Sequence, residues 1–139
     1  MPFYAFLHPI WQIGIFILGI SNAQLGMSSK KFTAKAFPLS RHRSSGWIFL
    51  FLVIIGAFFG KIVNNGLKAK GINLKLAAHQ PIGIIIIILL VLSVLFSEIG
   101  LSNREKFSGI LKWHPWLCIF ALGFLMAQAF IGILALIGV

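Results

Sequence analysis

Four stretches of this chain contain no Asp, Glu, Lys or Arg: Met1–Ser29, Ser44–Gly60, Leu76–Ser97 and Trp113–Val139. Each comes near or exceeds the roughly 17 to 25 residues a helix needs to cross about 30 Å of hydrocarbon. Hydrophobic residues make up 59% of the 139 and charged residues only 10%, which leaves almost nothing for a domain outside the bilayer. The expected fold is therefore an all-α membrane protein, a bundle of four transmembrane helices forming one domain over residues 1–139. The spans are expected near Phe6–Met27, Ser45–Asn64, Ala78–Gly100 and Trp113–Ile137. The first stretch has no basic segment ahead of its apolar part and no small-residue cleavage motif, so it reads as a retained helix rather than a secretion signal.

The net charge of +10 comes from twelve basic residues that all lie in connections or at span ends. That distribution suits contact with anionic lipid headgroups and gives no soluble basic fold for nucleic acid. Lys30, Lys31, Lys35, Arg41, Arg43, Arg104, Lys106 and Lys112 belong to the first and third connections, against Lys61, Lys68, Lys70 and Lys75 around the second. The positive-inside tendency puts connections 1 and 3 on the cytoplasmic or stromal side.

Cys118 is the only cysteine, which excludes an intrachain disulfide and two-thiol attachment of a c-type haem. Asp is absent and Glu98 and Glu105 are the only acids, so paired-carboxylate catalysis and hard-cation binding have no basis, and ion transport has no mid-membrane acid. No phosphate loop or nucleophile motif is present.

The four histidines, His8, His42, His79 and His114, each stand near the start of one span. Pro9, Pro81 and Pro115 follow three of them by one or two positions, where a missing N–H is tolerated in a first helical turn. Successive spans alternate in direction, so His8 and His79 share one membrane face and His42 and His114 the other. A zinc site needs three or four ligands together, whereas two imidazoles at one level suit the two axial positions of a b-type haem in a helical bundle. His8 and His42 are 34 positions apart and His79 and His114 35, which suggests two similar helical hairpins around an axis along the membrane normal.

At 100° per residue, positions 4, 14 and 18 after each histidine lie within about 40° of it. They are Gln12, Gly46, Gly83 and Cys118; Asn22, Gly56, Ser93 and Gln128; and Gly26, Gly60, Ser97 and Gly132. All twelve are small or polar. The later offsets, a rise of roughly 21 to 27 Å, carry them to the opposite histidine level, where small residues would clear a porphyrin edge and amides would bond a propionate or an imidazole N–H. Small residues also serve close helix packing without any cofactor, and for Gly56 and Gly60 the two readings compete, as they do with Gly14 and Gly19. Arg41, Arg43 and Lys112 are candidate propionate partners beside His42/His114, and Lys61 and Lys75 beside His8/His79. Trp11, Trp47, Trp113 and Trp116, each near a histidine, are candidates for interfacial anchors or for packing on a porphyrin.

With LHPIWQIG, AHQPIG and KWHPWL at span starts, the chain resembles the four-helix core of the cytochrome b561 family, and more narrowly a b561-related family of small cyanobacterial and plastid membrane proteins. The resemblance implies His8 with His79 and His42 with His114 as axial ligands of two non-covalent haem b groups, and a thylakoid or bacterial plasma membrane. It also implies an electron carrier or small transmembrane oxidoreductase rather than a hydrolase or transferase. The chain has neither the family's extra helices nor an ascorbate loop, and its electron donor and acceptor are not legible. The alternative is a non-redox scaffold or assembly subunit whose histidines hold chlorophyll magnesium, and a homodimer or larger membrane complex is compatible with either.

Overall fold

The computed structural model describes residues 2–28, 37–74 and 77–137. Lys30, Lys31, Lys35 and Lys75 lie outside the described residues. Five helices follow in order: α1 (Tyr4–Ser28), α2 (Leu39–Ala69), α3 (His79–Ser102), α4 (Arg104–Leu111) and α5 (His114–Ile137). Helices take up 89% of the described residues, with no strand among them. Four segments are long and apolar enough to cross a membrane: α1, α2, α3 and the Arg104–Leu136 stretch that contains α5. This is the architecture of an integral, multi-pass membrane protein.

Two helices outrun the expected spans. α1 starts at Tyr4, so His8 and Pro9 sit in its second turn and Pro9 forfeits an internal hydrogen bond. α2 runs 31 residues, from Leu39 to Ala69, well beyond the charge-free stretch. Hydropathy marks where lipid begins, whereas helix ends depend on capping and turn signals in the backbone. The stop comes at Gly71, whose φ of 75° is open to glycine at little strain. There Ile72 N–H donates to Leu67 O at 3.0 Å and Gly71 N–H to Lys68 O at 2.9 Å, the paired bonds of a Schellman ending.

The third connection contains α4. Asn103 caps it by accepting from Lys106 N–H at 3.0 Å, and Glu105 sits favourably in its first turn.

Each long helix packs on two neighbours in the ring α1–α2–α3–α5, while the diagonal partners, α1 with α3 and α2 with α5, do not approach along their backbones. The tightest pairings, α1 with α2 and α3 with α5, are the two hairpins. Ile15, Phe49, Leu50, Val53, Ile86, Leu90, Ala121 and Leu125 form the mid-bundle core. Gly19 lets α1 close in on its neighbours: a Cβ there would lie 2.8 Å from both Phe49 and Leu122. A Cβ on Gly14 would meet nothing within 4 Å among the described residues. Outward faces carry Ile17, Phe51, Phe58, Ile62, Phe120 and Phe130, all exposed, as lipid-facing surfaces require.

Candidate haem-binding levels

Diagonal helices bring the histidines together in two pairs. The His8 and His79 ring centres are 6.1 Å apart with planes at 69°, and those of His42 and His114 are 5.9 Å apart at 88°. Two imidazole nitrogens about 2.0 Å from one metal ion, each with its ring centre about 1.1 Å further back, would set ring centres about 6.2 Å apart. Both pairs thus stand at the separation of a metal bridge. Two nitrogens per level are too few for a tetrahedral ion site, and among the described residues no group of three or more His, Cys, Asp or Glu side chains comes together.

The twelve small or polar positions interlock by one rule. In each antiparallel hairpin, position k after one histidine meets position 18 − k after the other. His8 therefore faces Gly60, His42 faces Gly26 and His79 faces Gly132: a Cβ on these glycines would lie 2.7, 2.8 and 3.3 Å from the respective Cε1 atoms. Ser97 lines the same space as His114. One step further in, an amide is matched with a glycine three times, Gln12 with Gly56, Asn22 with Gly46 and Gln128 with Gly83. The fourth match is Ser93 with Cys118, Oγ to Sγ at 2.9 Å. Gly60 thus clears an imidazole, whereas Gly56 takes the side chains of Gln12 and Trp11 and is a packing glycine.

Around His8 and His79 lies a cavity of about 660 Å³, lined by Ala5, Ala57, Ala77, Ala129, Gly60, Gly83 and Gly132 among others. That volume falls within the usual range of small-molecule and cofactor sites. Gln128 Nε2 donates to the His79 carbonyl at 3.1 Å. His8 Nδ1, His79 Nδ1 and Gln12 Oε1 are buried with no hydrogen-bond partner among the described residues. Lys61 and Lys68, seven positions apart on α2, also line the cavity. The sequence presents Lys68 only as a flanking charge, and its seven-residue spacing from Lys61 is the signal that pairs the two.

The His42/His114 level is built more tightly. Asn22 Oδ1 meets His42 Nδ1 at 3.0 Å, and the same oxygen accepts from Ser45 Oγ at 2.5 Å. His114 Nδ1 faces the Ser93 carbonyl at 3.0 Å and Ser93 Oγ at 2.9 Å. Open space there is about 40 Å³, bordered by Trp47, Phe49, Leu50 and Leu90. The ligand set suits a haem, but those side chains must part before a macrocycle can lie between the rings.

The expected cationic partners at this level are arranged differently. Arg43 is engaged by Glu98, its Nε donating to Oε1 at 2.7 Å, and Trp47 Nε1 donates to the same carboxylate oxygen at 3.1 Å. Arg41 and Lys112 are exposed and line neither space. Arg41 is offset by 100° from its neighbour His42 around α2, and Lys112 belongs to the turn before α5. Trp113 and Trp116 are exposed, as interfacial anchors would be.

Comparison with protein-family models, with curated proteins and with solved structures gives no match for this chain.

Proposed function

We propose that this protein carries electrons across a membrane through two non-covalent b-type haems, one near each face, held by His8/His79 and by His42/His114. The observation that carries this reading is the pair of imidazole couples on diagonal helices, with ring centres 6.1 and 5.9 Å apart. When bound, each haem would supply a one-electron iron couple. The chain's residues do the rest. The four histidines would hold the two irons, and Gly26, Gly60 and Gly132 leave their rings room to stand between helices. Asn22 and Ser93 orient two of the rings. Lys61 and Lys68 offer cationic partners for propionates at the His8/His79 level. The mid-bundle core keeps water from the space between levels.

The excess of basic residues on connections 1 and 3 supports a cytoplasmic or stromal position for the His42/His114 end. Resemblance to the b561-related family supports a thylakoid or bacterial plasma membrane.

Purification in mild detergent followed by haem assay and a reduced-minus-oxidised spectrum tests the proposal. The expected result is about two haems per chain with b-type bands. Colourless protein, or chlorophyll bands, would replace the carrier with a scaffold or pigment-binding role.

A further inference from the structure

The cavity around His8 and His79 is apolar at one end and cationic at the other. Its inner end is bordered by Val53, Ile86 and Leu125 of the mid-bundle core. Toward the end of α2 it is bordered by Lys61, Asn64 and Lys68, which stand at positions i, i+3 and i+7 and so share one helix face over a rise of about 10 Å. This polar face begins beside Gly60, the residue that faces the His8 ring, and runs to the last turn of α2. Among the described residues no Asp or Glu lines the cavity: Glu98 borders the other level and Glu105 lies in α4. His8 Nδ1, His79 Nδ1 and Gln12 Oε1 are buried without a partner among the described residues, so the walls alone leave polar atoms unmatched.

Two lysines on one wall attract an anion. The inner end rejects one, because an unpaired charge is costly in apolar surroundings. Together they set what fits and which way round it lies, with an apolar body toward the core and free carboxylates along the Lys61–Lys68 face. We infer that Lys61, Asn64 and Lys68 form a carboxylate-recognising edge that makes the His8/His79 site selective for a macrocycle with free acid groups over one whose acids are esterified. Haem b carries free propionates, whereas the carboxyl groups of chlorophyll are esters. The edge therefore separates two macrocycles that a nitrogen ligand alone treats alike. The lysines act as point charges, and Asn64 adds an amide donor between them. This selectivity rests on the haem reading of the His8/His79 level and is independent of the other level.

The test is equilibrium binding of ferric haem b and of its dimethyl ester to haem-free, full-length protein in detergent, followed by absorbance. The component lost in His79→Ala reports this level. Esterification removes the carboxylate charges and leaves the iron and the ring in place, so the first comparison needs no change in the protein. Wild type should bind the free acid roughly tenfold more tightly than the ester, and the preference should shrink at high salt. In Lys61→Gln/Lys68→Gln both ligands should bind alike, near the affinity of wild type for the ester. Lys61→Arg/Lys68→Arg should keep the preference, and Asn64→Leu should reduce it by about threefold.

Equal affinities for acid and ester in wild type, or a preference that survives removal of both lysines, would overturn the inference and leave the haem reading standing. The ratio in wild type decides the matter even where the double glutamine variant does not accumulate. Absence of any bound component that His79→Ala removes overturns both the selectivity and the haem reading of this level.

Discussion

The two ends of this bundle carry the same ligand pair in different surroundings. Around His8 and His79 a cavity of about 660 Å³ stands open, lined by Phe16, Ile54, Phe58 and Leu125 as well as by alanines and glycines. Around His42 and His114 the lining includes Trp47, Phe49, Leu50 and Leu90, and about 40 Å³ remains. Hydrogen bonding runs the other way: at the roomy level the Nδ1 atoms have no partner among the described residues, whereas the tight level holds both rings by Nδ1. One end has open space beside its ring pair, and the other holds its ring pair by hydrogen bonds. Ring separation and cavity volume are thus independent properties: the two pairs stand at nearly the same separation beside very different amounts of open space.

The strongest way to break this comparison is to remove one ligand at a time. His79→Ala and His42→Ala should each lower haem content from about two per chain to about one, and the double variant should carry none. Loss of both haems in either single variant would mean that the levels are not separate sites.

Next in size are the glycines that face the rings. Gly60→Val should displace His8, since even its Cβ would lie 2.7 Å from that ring, and should deplete the His8/His79 haem alone; Gly26→Val should do the same for His42 and its level. Gly14→Val, with nothing within 4 Å, should leave both spectra intact.

The volume difference is sharpened by uptake kinetics. Haem-free His42→Ala protein, which retains the roomy level, should take up added haem faster than haem-free His79→Ala protein, whose remaining site must first part its bulky lining. Stopped-flow absorbance in detergent checks the order, and equal rates would remove any functional meaning from the volumes.

Gly19 lies between the levels, so overpacking it should not discriminate them. Gly19→Val should cost roughly 1 to 3 kcal/mol in detergent unfolding, with equal effect on both haems. The smallest effect is expected for Glu98→Gln, which frees the largely exposed Arg43 and should change haem affinity at the His42/His114 level by no more than about fivefold.

Much of this arrangement was legible in the sequence. Charge-free length located all four spans, because lipid thickness imposes a count of residues whatever their order. Histidine spacing and the 3.6-residue helical period picked out the twelve small or polar positions. What they could not say is which reading each position takes. Gly56 and Gly60 are four residues apart on one face of α2, yet one receives the Gln12 side chain and the other the His8 ring. Arg43 looked like a propionate partner until folding brought Glu98, 55 positions away, against it. Helix ends were the least legible: α4 depends on the Asn103 cap and α2 on the Gly71 turn, local hydrogen-bond signals that hydropathy does not register.

By itself the sequence determined that the chain crosses a membrane four times, with histidines at alternating ends and small residues opposite them, since these follow from hydrophobic length and helical periodicity. Tertiary structure alone decided that α1 lies diagonal to α3 and α2 to α5, so that rings from helices without backbone contact meet at the bundle centre. It also decided that one meeting point is open and the other filled, because cavity volume depends on side chains contributed by several helices at once, and no single helix encodes that sum.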